Sequence, residues 1–276
     1  MAVCYRHPGR ETGVSCSSCG RPICTDCMTA TPVGMRCPEC ARQRTPVRTM
    51  RELYAEPTVT YALIAINVVM FVGELATGGN GSRLVRDLTT LGSSVDAQTG
   101  IAEGEWWRLV TGAFLHDPGN PLHILFNMYL LFVLGRMLEP VLGHVRFAAL
   151  YFAALLAGSF GALVAQPHAA TLGASGAVFG LMGAAFVMQH ARGVDPRQSG
   201  ILPLIVLNLV LSFAIPHVAI GGHIGGLIGG GLAAYAMDRV SARRRGIALP
   251  VAICVAVAAV SVAGAIAVSH ATAPLG

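Results

Sequence analysis

The chain has 276 residues, 54% of them hydrophobic and only 12% charged. Water-soluble domains carry about a quarter charged residues, so the composition excludes a surface that faces water throughout and implies a polytopic membrane protein. The formal charge of +5 invites a nucleic-acid reading. That reading fails, because every basic side chain is arginine and most stand at the edges of apolar runs, where they act as topology signals.

Residues 1–42 hold seven of the eight cysteines, in the pairs Cys4-x2-His7, Cys16-x2-Cys19, Cys24-x2-Cys27 and Cys37-x2-Cys40. Each pair can turn two donors toward one ion, and eight donors suffice for two tetrahedral zinc sites. A tract of this length has too little core to fold without metal or disulfides. A disulfide-bonded cap, or one zinc with spare thiols, are the alternatives. A complete set of four ligands leaves no open coordination position, so the zinc is expected to be structural and not a catalytic cofactor.

Residues 43–57 read as a polar linker. Seven apolar segments follow, at roughly 58–76, 121–141, 146–166, 173–190, 200–216, 219–238 and 248–269. Most approach the ~20 residues a bilayer crossing requires. A long stretch, 77–120, separates the first two and carries the cluster Glu105-Trp106-Trp107-Arg108. No early apolar core marks a signal peptide, so the first span is expected to direct insertion. With the N-terminus in the cytosol, sixteen arginines fall inside and three (Arg83, Arg86 and Arg108) outside. The positive-inside rule then predicts a cytosolic cysteine-rich unit, where thiols stay reduced, and an external C-terminus.

Polar residues within such segments are costly and commonly functional. His123 and Asn127 lie four apart and share a helix face. Ser175 opens the fourth segment and His223 lies near the start of the sixth, which the topology puts at the same outer depth. Gly176 and Gly180 recur on the fourth segment, and Gly226 and Gly230 follow His223 on one face of the sixth. Such stripes let backbones approach closely and would bring the Ser175 hydroxyl to the His223 imidazole, the base a serine nucleophile needs. His123 and Asn127 could then donate to an oxyanion. Taken singly, each has a bland reading: a serine after Gly-Ala is usually packing filler, a membrane histidine can line a proton path, and glycine-rich helices are common in transporters.

In combination these residues resemble the rhomboid intramembrane protease family over about 58–240. The resemblance rests on Trp107-Arg108, the HILFN run at 123–127, Glu139, Gly173-Ala174-Ser175-Gly176, and His223-x2-Gly226-x3-Gly230, in the family's order. It implies an all-α core of six transmembrane helices, extended here by 241–276 with a seventh. It further implies a Ser175–His223 dyad without an acidic third member, and an oxyanion site from His123, Asn127 and the Ser175 N–H. Phe179 stands where the family often has a tyrosine stacked on the catalytic ring. Arg108 and Glu139 are expected to hold structure, and His116 to lie near the cavity mouth, either assisting water supply or, as the preferred reading, simply solvated. Expected substrates are single-pass transmembrane proteins in the lipid bilayer, cut near the outer face; the alternative is an inactive relative that binds membrane proteins for quality control. The cysteine-rich tract resembles B-box zinc fingers. That resemblance implies one zinc on Cys4, His7, Cys24 and Cys27 and another on Cys16, Cys19, Cys37 and Cys40. A cytosolic protein partner for the zinc unit is a separate expectation. The arginine-only, alanine-rich composition suggests a bacterial plasma membrane.

Overall fold

The computed structural model describes residues 2–42, 56–94, 98–215, 218–241 and 246–274. Most of the linker expected at 43–57, and Arg243 to Arg245 in the topology count, lie outside the described residues. The chain divides into two compact units, Met1–Leu53 and Tyr54–Gly276.

In the first unit, two short antiparallel hairpins precede a terminal helical turn. β1 (Ala2–Val3) pairs with β2 (Glu11–Thr12) in the register Val3↔Glu11, and β3 (Thr29–Thr31) pairs with β4 (Gly34–Arg36) in the register Ala30↔Met35. α1 (Pro38–Arg42) follows. Strands of two or three residues cannot build a hydrophobic core. The buried centre is instead made of Cys4, Cys16, Cys24, Cys27, Cys37 and Cys40 around Ile23.

The second unit is helical. α2 (Thr58–Ala76) is followed by two short helices, α3 (Arg83–Leu88) and α4 (Arg108–Thr111), inside the long stretch before the next span. Then come α5 (Pro121–Leu142), α6 (His144–Ala165), α7 (Ser175–Ala191), α8 (Ile201–Ala214), α9 (Ile220–Ser241) and α10 (Ala248–Thr272). All seven expected segments are therefore helical. Among the described residues, four helices (α2, α5, α6 and α10) are long and apolar enough to cross a membrane by length and hydropathy alone. The other three depart for physical reasons. α7 has 17 residues and α8 has 14, while α9 has 22 but is diluted by glycine. Glycine dilution is tolerable because α9 packs chiefly on protein, most extensively against α7 and α6.

Local chemistry sets the boundaries. Pro121 opens α5, where its missing N–H would have had no helical partner. Gly143, at φ +79°, reverses the chain between α5 and α6, a left-handed conformation that favours glycine. Glu139 is fully buried and its carboxylate accepts the N–H groups of Val59 and Thr60 at 2.8 Å each and the Thr60 hydroxyl at 2.6 Å. It thereby caps the start of α2 from α5, and His144 Nδ1 adds a contact at 2.6 Å. On α8, Ile201, Ile205, Asn208 and Ser212 form the buried stripe, while Val206, Leu207, Val210 and Phe213 are exposed, as on a lipid-facing helix.

Candidate active site

The site begins with two helices that almost touch. A Cβ placed on Gly226 of α9 would lie 1.9 Å from the carbonyl oxygen of Gly176 on α7, and one on Gly230 would lie 2.3 Å from that of Gly180. Only glycine fits such a seam. A parallel stripe on the next face of α9 does the same against α6: a Cβ on Gly225 would sit 2.5 Å from the Ala157 carbonyl oxygen. α9 is thus clamped between two helices. Residues just above the α7 seam are brought into contact, and His223 Nε2 stands 2.8 Å from Ser175 Oγ, across 48 residues of sequence.

The imidazole is held on two further sides. The ring of Phe179, one turn along α7 from Ser175, stacks on it with centroids 4.2 Å apart and planes within 15°. On the far edge, Nδ1 lies 2.6 Å from the hydroxyl of Ser212 on α8. Ser212 was absent from the sequence-based site. Its signal was its place on the stripe that also carries Ile201, Ile205 and Asn208.

The entrance to α7 is fixed by backbone pairing. Thr90 and Thr171 exchange hydrogen bonds at 3.0 and 2.9 Å, and the Gly173 N–H donates to the Gly112 carbonyl at 2.9 Å. Gly173 has φ +123°, and a Cβ there would meet the His123 ring at 2.9 Å. The His123 imidazole is therefore packed over the chain two residues before the nucleophile. The Asp117 N–H points at His123 Nδ1 at 3.5 Å. An N–H can only donate, so this contact places the ring proton on Nε2, the atom that faces Gly173. Asn127 is buried one turn below, with its amide donating to the His123 carbonyl at 2.9 Å; its second amide hydrogen is free of that bond. As the first residue of α7, Ser175 has an N–H with no carbonyl a turn earlier in the helix to take it. A cavity of about 40 Å³ adjoins Ser175, with Ser159, Thr171 and Gly173 in its wall. That is room for water, which needs only ~10–15 Å³ of such space.

The flanking residues divide by environment. Arg108 is buried, pairs with Glu105 at 2.6 Å and donates to the carbonyls of Arg86 and Thr89 at 2.5 and 3.0 Å. It ties the segment before α5 together. Trp107 is half exposed, with its indole N–H donating to the Asp87 carbonyl at 3.2 Å. His116 requires a correction. It is fully buried rather than solvated at a mouth, its ring centroid 5.1 Å from that of His123, and its backbone N–H donates to the carboxylate of buried Glu74 at 3.1 Å. Burial lowers its pKa to about 3, so the ring is neutral.

In the first unit the eight candidate ligands gather into two quartets, Cys4–His7–Cys24–Cys27 and Cys16–Cys19–Cys37–Cys40. Each quartet has its donor atoms within 4.8 Å of one another. His7 Nδ1 lies 3.9, 3.3 and 3.4 Å from the sulfurs of Cys4, Cys24 and Cys27. Ligands around tetrahedral zinc at ~2.0–2.3 Å stand ~3.5–3.8 Å apart, so the donor set fits. All eight cysteines are free thiols rather than disulfides. Thiols this close cannot all ionise unaided. Cys16 is drawn down to about 6, chiefly by the Cys37 N–H, whereas Cys40 is pushed up to about 12 by the neighbouring Cys37 and Cys19 thiols. A divalent cation between them would remove that conflict.

Fold and site together define a class: a polytopic helical membrane protein with a serine hydroxyl and an imidazole paired between glycine-seamed helices. Residues 103–240 match the family model described as the Rhomboid domain, and the chain belongs to the rhomboid family. It is 38% identical over 185 residues to Rhomboid protease GluP of Bacillus subtilis, covering 66% of this chain and 35% of that one. It is 34% identical over 149 residues to the Putative rhomboid protease YdcA of the same organism, covering 52% of this chain and 74% of that one. RHOMBOID-like protein 5 of Arabidopsis thaliana is 36% identical over 137 residues, which cover 47% of this chain and 43% of that protein. The chain thus spans about a third of GluP and three quarters of YdcA.

Proposed function

We propose that the protein is an intramembrane serine endopeptidase acting by a Ser175–His223 dyad. The observation that carries this reading is the 2.8 Å approach of Ser175 Oγ to His223 Nε2 inside the helical bundle. In this reading Ser175 Oγ bonds to the scissile carbonyl carbon as its proton passes to Nε2, and the carbonyl π electrons move to oxygen. The oxyanion is received by the Ser175 N–H, His123 Nε2–H and the free amide hydrogen of Asn127. His223 then returns the proton to the departing amine, and water repeats the sequence on the acyl-serine.

The length of α7 supports a recessed site. Its 17 residues rise about 25 Å, short of the ~30 Å hydrocarbon core. A helix that starts at the nucleophile therefore begins below one membrane face, where the segment before it can admit water. The arginine asymmetry assigns that face to the outside, with the first unit in the cytosol and the C-terminus external, in the plasma membrane of a bacterium. The substrates are single-pass transmembrane proteins with helix-weakening residues near the outer boundary, because a helical carbonyl must leave its own hydrogen bond before attack. The first unit holds two structural zinc ions on the two quartets and offers a surface to a cytosolic protein.

The test is cleavage of a transmembrane substrate by purified protein in detergent, with Ser175→Ala and His223→Ala beside the wild type. Both variants should be inactive, and fluorophosphonate labelling should vanish in Ser175→Ala. Cleavage that persists in either variant removes the dyad. An inactive wild type that still captures membrane proteins would favour the non-proteolytic alternative.

A further inference from the structure

We infer that Ser212 is a third, uncharged positioning residue that sets the tautomer of His223, an inference that rests on the dyad reading above. The geometry is a chain of three contacts. Ser175 Oγ lies 2.8 Å from His223 Nε2, Nδ1 lies 2.6 Å from Ser212 Oγ, and Ser212 Oγ lies 2.7 Å from the Asn208 carbonyl oxygen. A carbonyl can only accept, so the Ser212 hydrogen has an acceptor at the end of the chain. With that hydrogen placed there, Ser212 presents a lone pair to His223 and accepts a hydrogen bond from Nδ1–H. Nε2 is then bare and faces the Ser175 hydroxyl, whose hydrogen it accepts. Each of the three hydrogens has one acceptor, and all run in the direction a general base requires. The opposite assignment puts a proton on Nε2, aimed at the oxygen that must lose one.

The same contact serves both halves of the reaction. When Nε2 takes the Ser175 proton, the ring becomes an imidazolium that still donates Nδ1–H to Ser212, so neither ring nor hydroxyl has to turn. In triads a carboxylate fills this role. Ser212 is buried, at 4% exposure, on a helix whose other faces are apolar. A carboxylate there would have to be desolvated as a charge, and a hydroxyl does not.

The experiment compares Ser212→Thr with Ser212→Val in the full-length protein, since the two side chains match in shape and differ in the hydroxyl. Ser212→Val should lower kcat about 3- to 10-fold with KM unchanged, the ratio a single neutral hydrogen bond supplies. Fluorophosphonate labelling should slow in the same proportion. Ser212→Thr should recover most of the rate. Nitrogen NMR of histidine-labelled protein should show Nδ1 of His223 protonated in the wild type and in Ser212→Thr, and a mixture of tautomers in Ser212→Val. Equal rates for Thr and Val, or a wild-type ring protonated on Nε2, would overturn the assignment of Ser212 while leaving the dyad intact. Cleavage surviving in Ser175→Ala or His223→Ala would instead remove the dyad itself.

Discussion

Replacing Gly226 with alanine should lower activity about 10²-fold by pushing apart the two helices that make the proposed dyad. The added Cβ would sit 1.9 Å from the Gly176 carbonyl oxygen, 2.7 Å from its carbon and 3.1 Å from its Cα, all backbone atoms with no rotamer to change. Ordinary contact begins at 3.4 Å, so α9 and α7 must separate by about 1.5 Å. Gly226 lies one turn from His223, and Gly176 is the neighbour of Ser175. Most of that displacement therefore reaches a hydrogen bond that measures 2.8 Å. An error of ~1 Å in a reacting pair costs about 10²-fold in rate, and overpacking costs about 1–3 kcal/mol of stability. Gly231→Ala is the control: on the same helix, its Cβ would meet nothing nearer than 3.7 Å. It should keep wild-type kcat and lose no stability. Cleavage of a fluorescent transmembrane substrate, with thermal unfolding measured in the same detergent, separates the two. Wild-type kcat in Gly226→Ala, or equal loss in both variants, would refute the seam as the device that aligns the site.

Phe179→Ala should lower kcat about 3- to 10-fold by removing the ring stacked on His223, and Phe179→Tyr, which keeps the face, should recover it in the same cleavage assay. Glu139→Gln should lower stability by about 2–4 kcal/mol, because an amide offers one acceptor where the carboxylate serves Val59, Thr60 and His144. Activity per folded molecule should stay within about twofold, so a thermal shift without a matching loss of kcat is the expected result. Metal analysis of the first unit should find two zinc ions per chain, and Cys19→Ser should release one of them. Chelation should make residues 2–42 sensitive to protease; resistance to chelator with oxidised thiols would refute the metal assignment.

Helix positions were legible because the apolar runs end at residues with their own reasons to end them. The segment expected at 121–141 is the helix Pro121–Leu142, bounded by a proline that starts it and a glycine at positive φ that stops it. The Gly226 and Gly230 stripe was legible from its spacing, but the parallel stripe through Gly225 was not, since the pattern does not say how many neighbours a helix has. Ser212 escaped for a different reason. Ser261, Ser269 and Thr272 also donate to the carbonyl four residues back, at 2.8 Å each. A hydroxyl in an apolar helix ordinarily does this and nothing more. Only the packing of α8 beside α9 distinguishes the one whose lone pair meets an imidazole. His116 was misplaced because a histidine in a connecting segment reads as wet, and the Glu74 carboxylate that holds it down lies 42 residues earlier.

The distribution of acids in the second unit shows what the membrane setting allows. Glu139 and Glu74 are both fully buried, and each takes backbone N–H groups: Glu139 those at the start of α2, Glu74 that of His116. A buried carboxylate is tolerable where such donors converge on it. Beside His223 the arrangement differs: among the described residues the outer edge of the ring meets a hydroxyl and no backbone N–H. Among the described residues, the ring edge opposite Ser175 is met by a side chain from α8. There the buried stripe offers Asn208 and Ser212, and Ser212 can discharge its own hydrogen onto its helix while accepting from the ring. In the proposed dyad the Ser212 hydroxyl is then the group that can orient the base at the third position without bringing a charge into the bundle.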